Sequence, residues 1–176
     1  MSGQAGRYQR SAGGMVGALV VLVGVIGAFV GLREINRDDP PSPVREVDYA
    51  KVADLARERA DFDLVAPASL PPGWRATTVN YVDGEDAHWH LGLLTDQDRY
   101  VGLEQADSSA KSMVQTHVDE AAAPGESVEV AGVEWSTWTD DEGDLALVRE
   151  TPDTTTVVVG HEVSEPVLVD FAASLR

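Results

Sequence analysis

The sequence predicts an α+β protein: a single N-terminal transmembrane helix, followed by a mainly antiparallel sheet with helices packed on one face. Three features of the 176-residue chain predict this fold. An uncharged apolar run lies near the start, later segments alternate apolar with polar residues, and tight turns join those segments. Strands joined by tight turns must pair antiparallel, whereas parallel pairing needs a long crossover.

The apolar run extends from Ala12 to Leu32 without a charged side chain. At about 1.5 Å per residue it forms a helix of roughly 31 Å, which matches a hydrocarbon core of about 30 Å. A cleaved signal peptide is the alternative, but the run exceeds the usual apolar length of about 7–15 residues and no A-x-A cleavage site follows. We therefore predict a transmembrane helix over residues 12–33 after an N-terminal tail of residues 1–11.

The charges that flank this run predict its orientation. Arg7 and Arg10 precede it without any acid, whereas Arg33 and Arg37 are mixed with acidic residues. Because positive residues are retained on the cytoplasmic side, we expect a cytoplasmic N-terminus and an extracytoplasmic C-terminal domain at the cell membrane.

Small residues form a stripe along the predicted transmembrane helix. At 100° per residue they fall within an arc of about 100°, and two pairs match the small-x-x-x-small pattern of closely packed membrane helices. The stripe predicts self-association or contact with a membrane-protein partner, unless it reflects only the high glycine content of such helices. Its members are Gly13, Gly17, Gly24, Gly27, Ala28 and Gly31.

A proline-rich linker over residues 34–47 separates this helix from a domain over residues 48–176. In that domain, 3.6-residue periodicity predicts helices over residues 49–60 and 109–121 and after Ser164, with Asp48 and Ser164 as N-caps. Alternation predicts strands over residues 75–82, 88–95, 100–105, 126–130, 133–139, 145–150 and 154–160. Two successive blocks of strands followed by a helix suggest an internal pseudo-repeat.

Composition excludes several classes of function. The formal net charge of −17 repels phosphate backbones and anionic lipid headgroups, so we expect no nucleic acid partner. The absence of cysteine excludes disulfides, thiol nucleophiles and cysteine-bound zinc. The nucleophile elbow, the phosphate-binding loop, the dinucleotide-binding glycine motif and the HExxH zinc motif are all absent from the sequence, which predicts no cofactor and assigns no catalytic residue.

The segment before the second predicted strand is the main candidate for metal chemistry. His88 and His90 share one strand face, opposite Trp89, and Asp83 and Asp86 lie just upstream. Imidazole and carboxylate groups are ligands for divalent metals, so this segment is a weak metal candidate. The alternative is an exposed acidic turn beside a solvated strand face.

Two further groups have a structural and a functional interpretation. The acidic turn Asp140–Asp144 is either a calcium site or a soluble hairpin tip. The four tryptophans line an aromatic cleft or, as we expect for a small domain, belong to its core.

Several short strings, in order, resemble an actinobacterial family of membrane-anchored proteins classed as domain of unknown function 4245. The resemblance runs from the apolar run almost to the C-terminus and implies a location in the cell envelope, with no catalytic residues to transfer. The strings are Val47-Asp48-Tyr49, Leu70-Pro71-Pro72-Gly73-Trp74-Arg75, Trp89-His90-Leu91-Gly92, Tyr100-Val101-Gly102-Leu103-Glu104-Gln105, Val130-Ala131-Gly132-Val133-Glu134-Trp135 and Val159-Gly160.

These observations lead to two functional hypotheses. The first is a non-catalytic membrane-tethered module that binds a ligand or partner in the cell envelope. The second is an envelope hydrolase or metal-dependent enzyme that uses the region around His88 and His90. An accessory role in a larger membrane complex, through the stripe of small residues, is a third interpretation.

Overall fold

A computed structural model describes residues 47–176, together with Val16 and Leu22, which are helical and exposed. The chain divides into two units, Met1–Pro43 and Val44–Arg176, of which the second forms the fold described below. Within the described residues, no helix has the length and hydropathy needed to cross a bilayer. The rest of the predicted transmembrane helix, its stripe of small residues and most of the linker lie outside the described residues.

The second unit contains three helices and eight strands among its described residues. The helices are α1 (Tyr49–Arg57), α2 (Ala110–His117) and α3 (Glu165–Ala173). The strands are β1 (Arg75–Val82), β2 (His88–Leu94), β3 (Tyr100–Ala106), β4 (Ala123–Pro124), β5 (Val128–Val130), β6 (Val133–Thr139), β7 (Leu145–Glu150) and β8 (Thr155–Gly160).

The strands form one sheet in the order β1-β2-β3-β8-β7-β6-β4, and β5 pairs with β6 beside this path. Every pairing of adjacent strands is antiparallel. The predicted α+β class is therefore confirmed.

The helices lie on both faces of this sheet, so the prediction that they pack on one face was wrong. On one face, here called the core face, Trp89 and Leu103 join Phe171 of α3 in the larger apolar cluster. On the opposite face, here called the α2 face, Met113 and Val114 of α2 join a second cluster with β7 and β8. The physical reason is that β7 and β8 are apolar at consecutive positions, as expected for strands buried on both faces.

The suspected pseudo-repeat holds for the strands and fails for the helices. Two three-stranded meanders, β1–β3 and β6–β8, meet through the antiparallel pair β3 and β8. The two-fold axis that relates antiparallel neighbours is perpendicular to the sheet. Rotation about it therefore leaves the two faces of the sheet on their own sides. The helices that follow the two meanders, α2 and α3, nevertheless pack on opposite faces.

Local signals predicted turns better than helix ends. Ala131 and Gly132 both have positive φ, 52° and 82°, which is the geometry of a two-residue hairpin turn and confirms that hairpin. Neither predicted N-cap side chain, of Asp48 or Ser164, makes a capping hydrogen bond. Helix α2 ends at His117 rather than at residue 121, where the Asp119 carboxylate accepts a hydrogen bond from the backbone N–H of Ala121.

The tryptophans belong to the core, as expected. Trp89 and Trp135 are buried, and Trp74 stacks on Phe171 with ring centroids 5.5 Å apart. Trp138 packs beside the second apolar cluster, beneath α2. Three tryptophans thus belong to the larger apolar cluster and one packs against the second.

Candidate functional site

Helix α2 covers only part of the sheet on its own face. It packs over β7 and β8, and the α2 face of β1–β3 carries exposed side chains from Thr78, Asn80, Val82 and Tyr100. We call this surface the open half. A buried carboxylate and two histidines come together beside this surface.

A buried carboxylate and a histidine form the centre of the open half. Glu104 is 4% exposed, and its Oε1 atom lies 2.6 Å from Nδ1 of His90 on the neighbouring strand. A carboxylate can only accept, so Nδ1–H of His90 donates this hydrogen bond. The bond to Glu104 is the main cause that raises the pKa of His90, and it outweighs the burial that lowers it.

A second histidine approaches the same carboxylate from α2. Nδ1 of His117, the last residue of that helix, lies 3.9 Å from Oε2 of Glu104. Burial lowers the pKa of His117, and the positive charges of His90 and His88 add to this against the opposing charge of Glu104. Two of the four histidines in the chain therefore approach one buried carboxylate.

Next to this centre, two glycines make room for the ring of Tyr100. Gly92 and Gly102 are directly paired across β2 and β3. A Cβ atom at Gly92 would lie 3.4 Å from Nε2 of His90, from Cβ of Thr78 and from the ring of Tyr100. A Cβ atom at Gly102 would lie 2.9 Å from the Tyr100 hydroxyl. The Tyr100 ring therefore packs over both glycines, and Nε2 of His90 lies beside it.

Burial makes the Tyr100 hydroxyl a weaker acid. Together with the negative charge of Glu104, burial raises the pKa of Tyr100 to about 12. Like an ordinary tyrosine, it is neutral at physiological pH, and its hydroxyl can donate a hydrogen bond.

The structure brings together only some of the predicted metal candidates. His88 and His90 share a strand face, as predicted. Asp83 lies in the exposed turn before them, and its carboxylate accepts a hydrogen bond from the backbone N–H of Gly84 at 2.9 Å. Asp86 lines a groove of about 570 Å³ between that turn and α2. In the region that the structure describes, no three His, Asp or Glu side chains are placed to hold a metal ion.

In the acidic turn Asp140–Asp144, the first carboxylate is hydrogen-bonded to the backbone of the turn itself. Oδ1 of Asp140 accepts hydrogen bonds from the backbone N–H groups of Glu142, Gly143 and Asp144 at 2.8–2.9 Å. Such a pattern stabilises the hairpin tip itself.

Sequence reasoning missed Glu104, Tyr100 and His117 as members of a site. One signal for Glu104 was present. The hairpin between β2 and β3 pairs Leu94 with Tyr100, and counting back from that pair places His90 opposite Glu104. No comparable signal exists for His117, because its place depends on which face α2 covers.

The His90 ring uses one of its two nitrogens. Among the described residues, Glu104 is the only side chain that hydrogen-bonds to this ring, so no hydroxyl is held against its Nε2 atom. A hydrolytic triad would hold a nucleophile there. Nε2 therefore keeps its own hydrogen-bonding capacity.

The fold and this face define a small α+β domain with a surface site on an antiparallel sheet. The chain belongs to a protein family of unknown function, DUF4245, whose model matches residues 7–175. The resemblance found from the sequence is thereby confirmed. No curated protein and no solved structure matches the chain.

Proposed function

We propose that this protein is a single-pass membrane protein whose extracytoplasmic domain binds a ligand or partner in the cell envelope without catalysing a reaction. The uncharged run from Ala12 to Leu32 and the arginines that precede it support the anchor and its orientation. The binding surface is the open half of the sheet.

One observation supports the binding role above the others: an imidazole held by a buried carboxylate keeps its second ring nitrogen without a partner among the described residues, beside the exposed Tyr100 ring. Burial of a carboxylate is costly unless it is paired, and Glu104 is paired through His90. A polar pair of this kind adds little to a core that is already filled on the other face. The same pair can hold the His90 ring rigidly in the position from which it contacts a ligand at the surface.

The binding surface can be tested by replacing Asn80 with a photocrosslinking amino acid, in intact cells. Asn80 is exposed and lies opposite His90 on the neighbouring strand. We expect a discrete adduct that disappears when the chain also carries His90→Gln. The matched control places the same amino acid at Glu129, an exposed position of β5. The same products from both positions, or no adduct at Asn80, would contradict the proposal.

The predicted topology can be tested with single cysteines, because the chain has none of its own. We expect a membrane-impermeant maleimide to label Asp141→Cys on intact, wall-stripped cells and to label Ser2→Cys only after lysis. Asp141 lies in an exposed turn. Labelling of Ser2→Cys on intact cells, or recovery of a freely released chain, would contradict the anchored orientation.

A metal-dependent enzyme is the second candidate, and the Glu104–His90 pair favours it specifically. Histidine ligands of metals commonly donate their other N–H to a carboxylate, which orients the ring. A metal here would need the imidazoles of His88 and His117 to turn toward Nε2 of His90. Calorimetry with zinc on the full chain tests this candidate, and the double variant His88→Ala, His90→Ala should abolish the heat. Unchanged thermal stability and no metal uptake would leave it without support.

A further inference from the structure

The open half differs from the rest of the molecule in its charge. The chain contains 30 acidic residues, yet β1, β2 and β3 carry only one, Glu104. That carboxylate is buried and bonded to His90. The outward surface of these strands is therefore close to neutral within a strongly acidic domain.

Tyr100 provides a flat aromatic surface at the centre of this neutral area. Its ring lies over the paired glycines Gly92 and Gly102, where any larger residue would meet it. Tyr100 is nevertheless 37% exposed, and it is the only aromatic residue among the large exposed hydrophobic side chains of the described residues. One side of the ring rests on the sheet, and the ring remains accessible from solvent.

Hydrogen-bonding groups border the ring. Nε2 of His90 and the side chain of Thr78 lie beside it, and the Asn80 amide lies one step further along β1. An imidazole, a hydroxyl and an amide can each donate or accept. An aromatic face bordered by such groups matches a ligand with one apolar side and a rim of hydroxyls.

We propose that the open half binds a neutral saccharide, with one sugar ring stacked on Tyr100 and its hydroxyls bonded to His90, Thr78 and Asn80. This inference rests on the proposed binding function and names its ligand class. An anionic ligand is repelled by the net charge of −17. A cationic ligand is attracted more strongly to the groove beside α2, whose lining includes Asp61, Asp86 and several other acids.

The test uses the full chain in a zwitterionic detergent without a sugar headgroup. Isothermal titration calorimetry is performed with four neutral tetrasaccharides, built of glucose, mannose, galactose and arabinose. We expect at least one to bind. Tyr100→Leu should weaken that binding at least about tenfold, equivalent to about 1.4 kcal/mol. Tyr100→Phe keeps the ring and should restore most of the affinity lost in Tyr100→Leu.

Two further variants keep the test independent of folding. Asn80→Ala changes an exposed side chain and should weaken binding about threefold, while Val133→Ala, an exposed site on β6, should leave it unchanged. Tryptophan fluorescence checks that each variant is folded. The saccharide inference is overturned if none of the four sugars binds, or if Tyr100→Leu binds the sugar as tightly as the native chain does. It is also overturned if an oligolysine peptide competes with the sugar for the surface around Tyr100.

The outcome separates this inference from the proposal on which it rests. If no sugar binds but the crosslink from Asn80 still depends on His90, the binding surface stands and its ligand is not a neutral saccharide. If neither occurs, the proposed binding function fails as well.

Discussion

The α2 face of the sheet consists of two halves, one covered by helix α2 and one exposed. The half formed by β7 and β8 is covered by α2, and its inward side chains are small and apolar: Ala146, Val148, Val157 and Val159. The half formed by β1–β3 is uncovered, and the middle of its strands carries polar residues and glycine instead: Thr78, Asn80, His90, Gly92, Gly102 and Glu104.

This difference shows that side chains, and not strand topology, decide where a helix packs. The two meanders are related by a two-fold rotation that would place equivalent helices on one face, yet α2 and α3 are on opposite faces. Helix α2 needs an apolar surface for Met113 and Val114, and β7 and β8 supply it. The open half offers no such surface, because its centre is a charged pair beside two glycines.

The largest effect is expected when the covered half loses its helix contact. Met113 is buried between α2 and the sheet, so Met113→Ala should lower the free energy of unfolding by about 2–5 kcal/mol through lost burial and the cavity left behind. Urea unfolding of the full chain, followed by tryptophan fluorescence, measures this. The matched change in the open half, Asn80→Ala, should stay within about 0.5 kcal/mol. Equal losses at the two sites would show that the halves do not differ in stability.

A smaller effect is expected at the charged pair of the open half. Glu104→Gln keeps the shape of the side chain and replaces a charge-assisted hydrogen bond by a neutral one, which should cost about 1–3 kcal/mol. The pKa of His90 should fall, because the hydrogen bond to Glu104 and its charge are what raise it. Imidazole NMR across a pH series measures this shift. The control Glu129→Gln, on an exposed strand, should change neither quantity.

The sequence predicts the faces of single strands well because the period of two is a local property. In β2 the alternation correctly separates Trp89, Leu91 and Leu93 from His88 and His90. The turn at Ala131 and Gly132 was predictable for the same reason, since a two-residue connection with glycine at its second position is typical of a tight hairpin turn.

The helix positions were not predictable from such local patterns. An amphipathic helix needs an apolar partner but does not specify which face of a sheet supplies it. The consecutive apolar residues Ala146-Leu147-Val148 and Val157-Val158-Val159 did indicate burial on both faces of these strands. Interpreting them as ordinary strands with one buried face produced the wrong placement of α2.

The candidate site likewise has one part that local sequence patterns predict and one part that they do not. The pairing of His90 with Glu104 follows from hairpin register and was within reach of the sequence. The approach of His117 to Glu104 required the tertiary position of α2, which brings together residues from separate elements. The predicted partners Asp83 and Asp86 are close in sequence to His88 but belong to an exposed turn.

The smallest effect, and the sharpest comparison between the halves, is the pH dependence of the two histidines that face Glu104. His90 belongs to the open half and its pKa is raised, so its contribution to stability is fully present below the unfolded pKa of about 6.5 and is lost as pH rises through the folded value. His117 belongs to the covering helix and its pKa is lowered by burial, so it destabilises the fold as pH falls from about 6.5 through its folded value.

Single substitutions should therefore change the pH profile of stability in opposite directions. Relative to the native chain, His90→Gln should become less stable as pH falls from 8 to 5, to roughly the extent allowed by one histidine, while His117→Gln should become more stable over the same range. Glu104 faces both rings, and His90 and His88 also act on His117, so the double variant should show little of either trend. Asn80→Ala, which removes no titrating group, is the control. Urea midpoints measured at each pH decide the matter, and parallel profiles for the two single variants would mean that α2 and the open half do not hold their histidines in different environments.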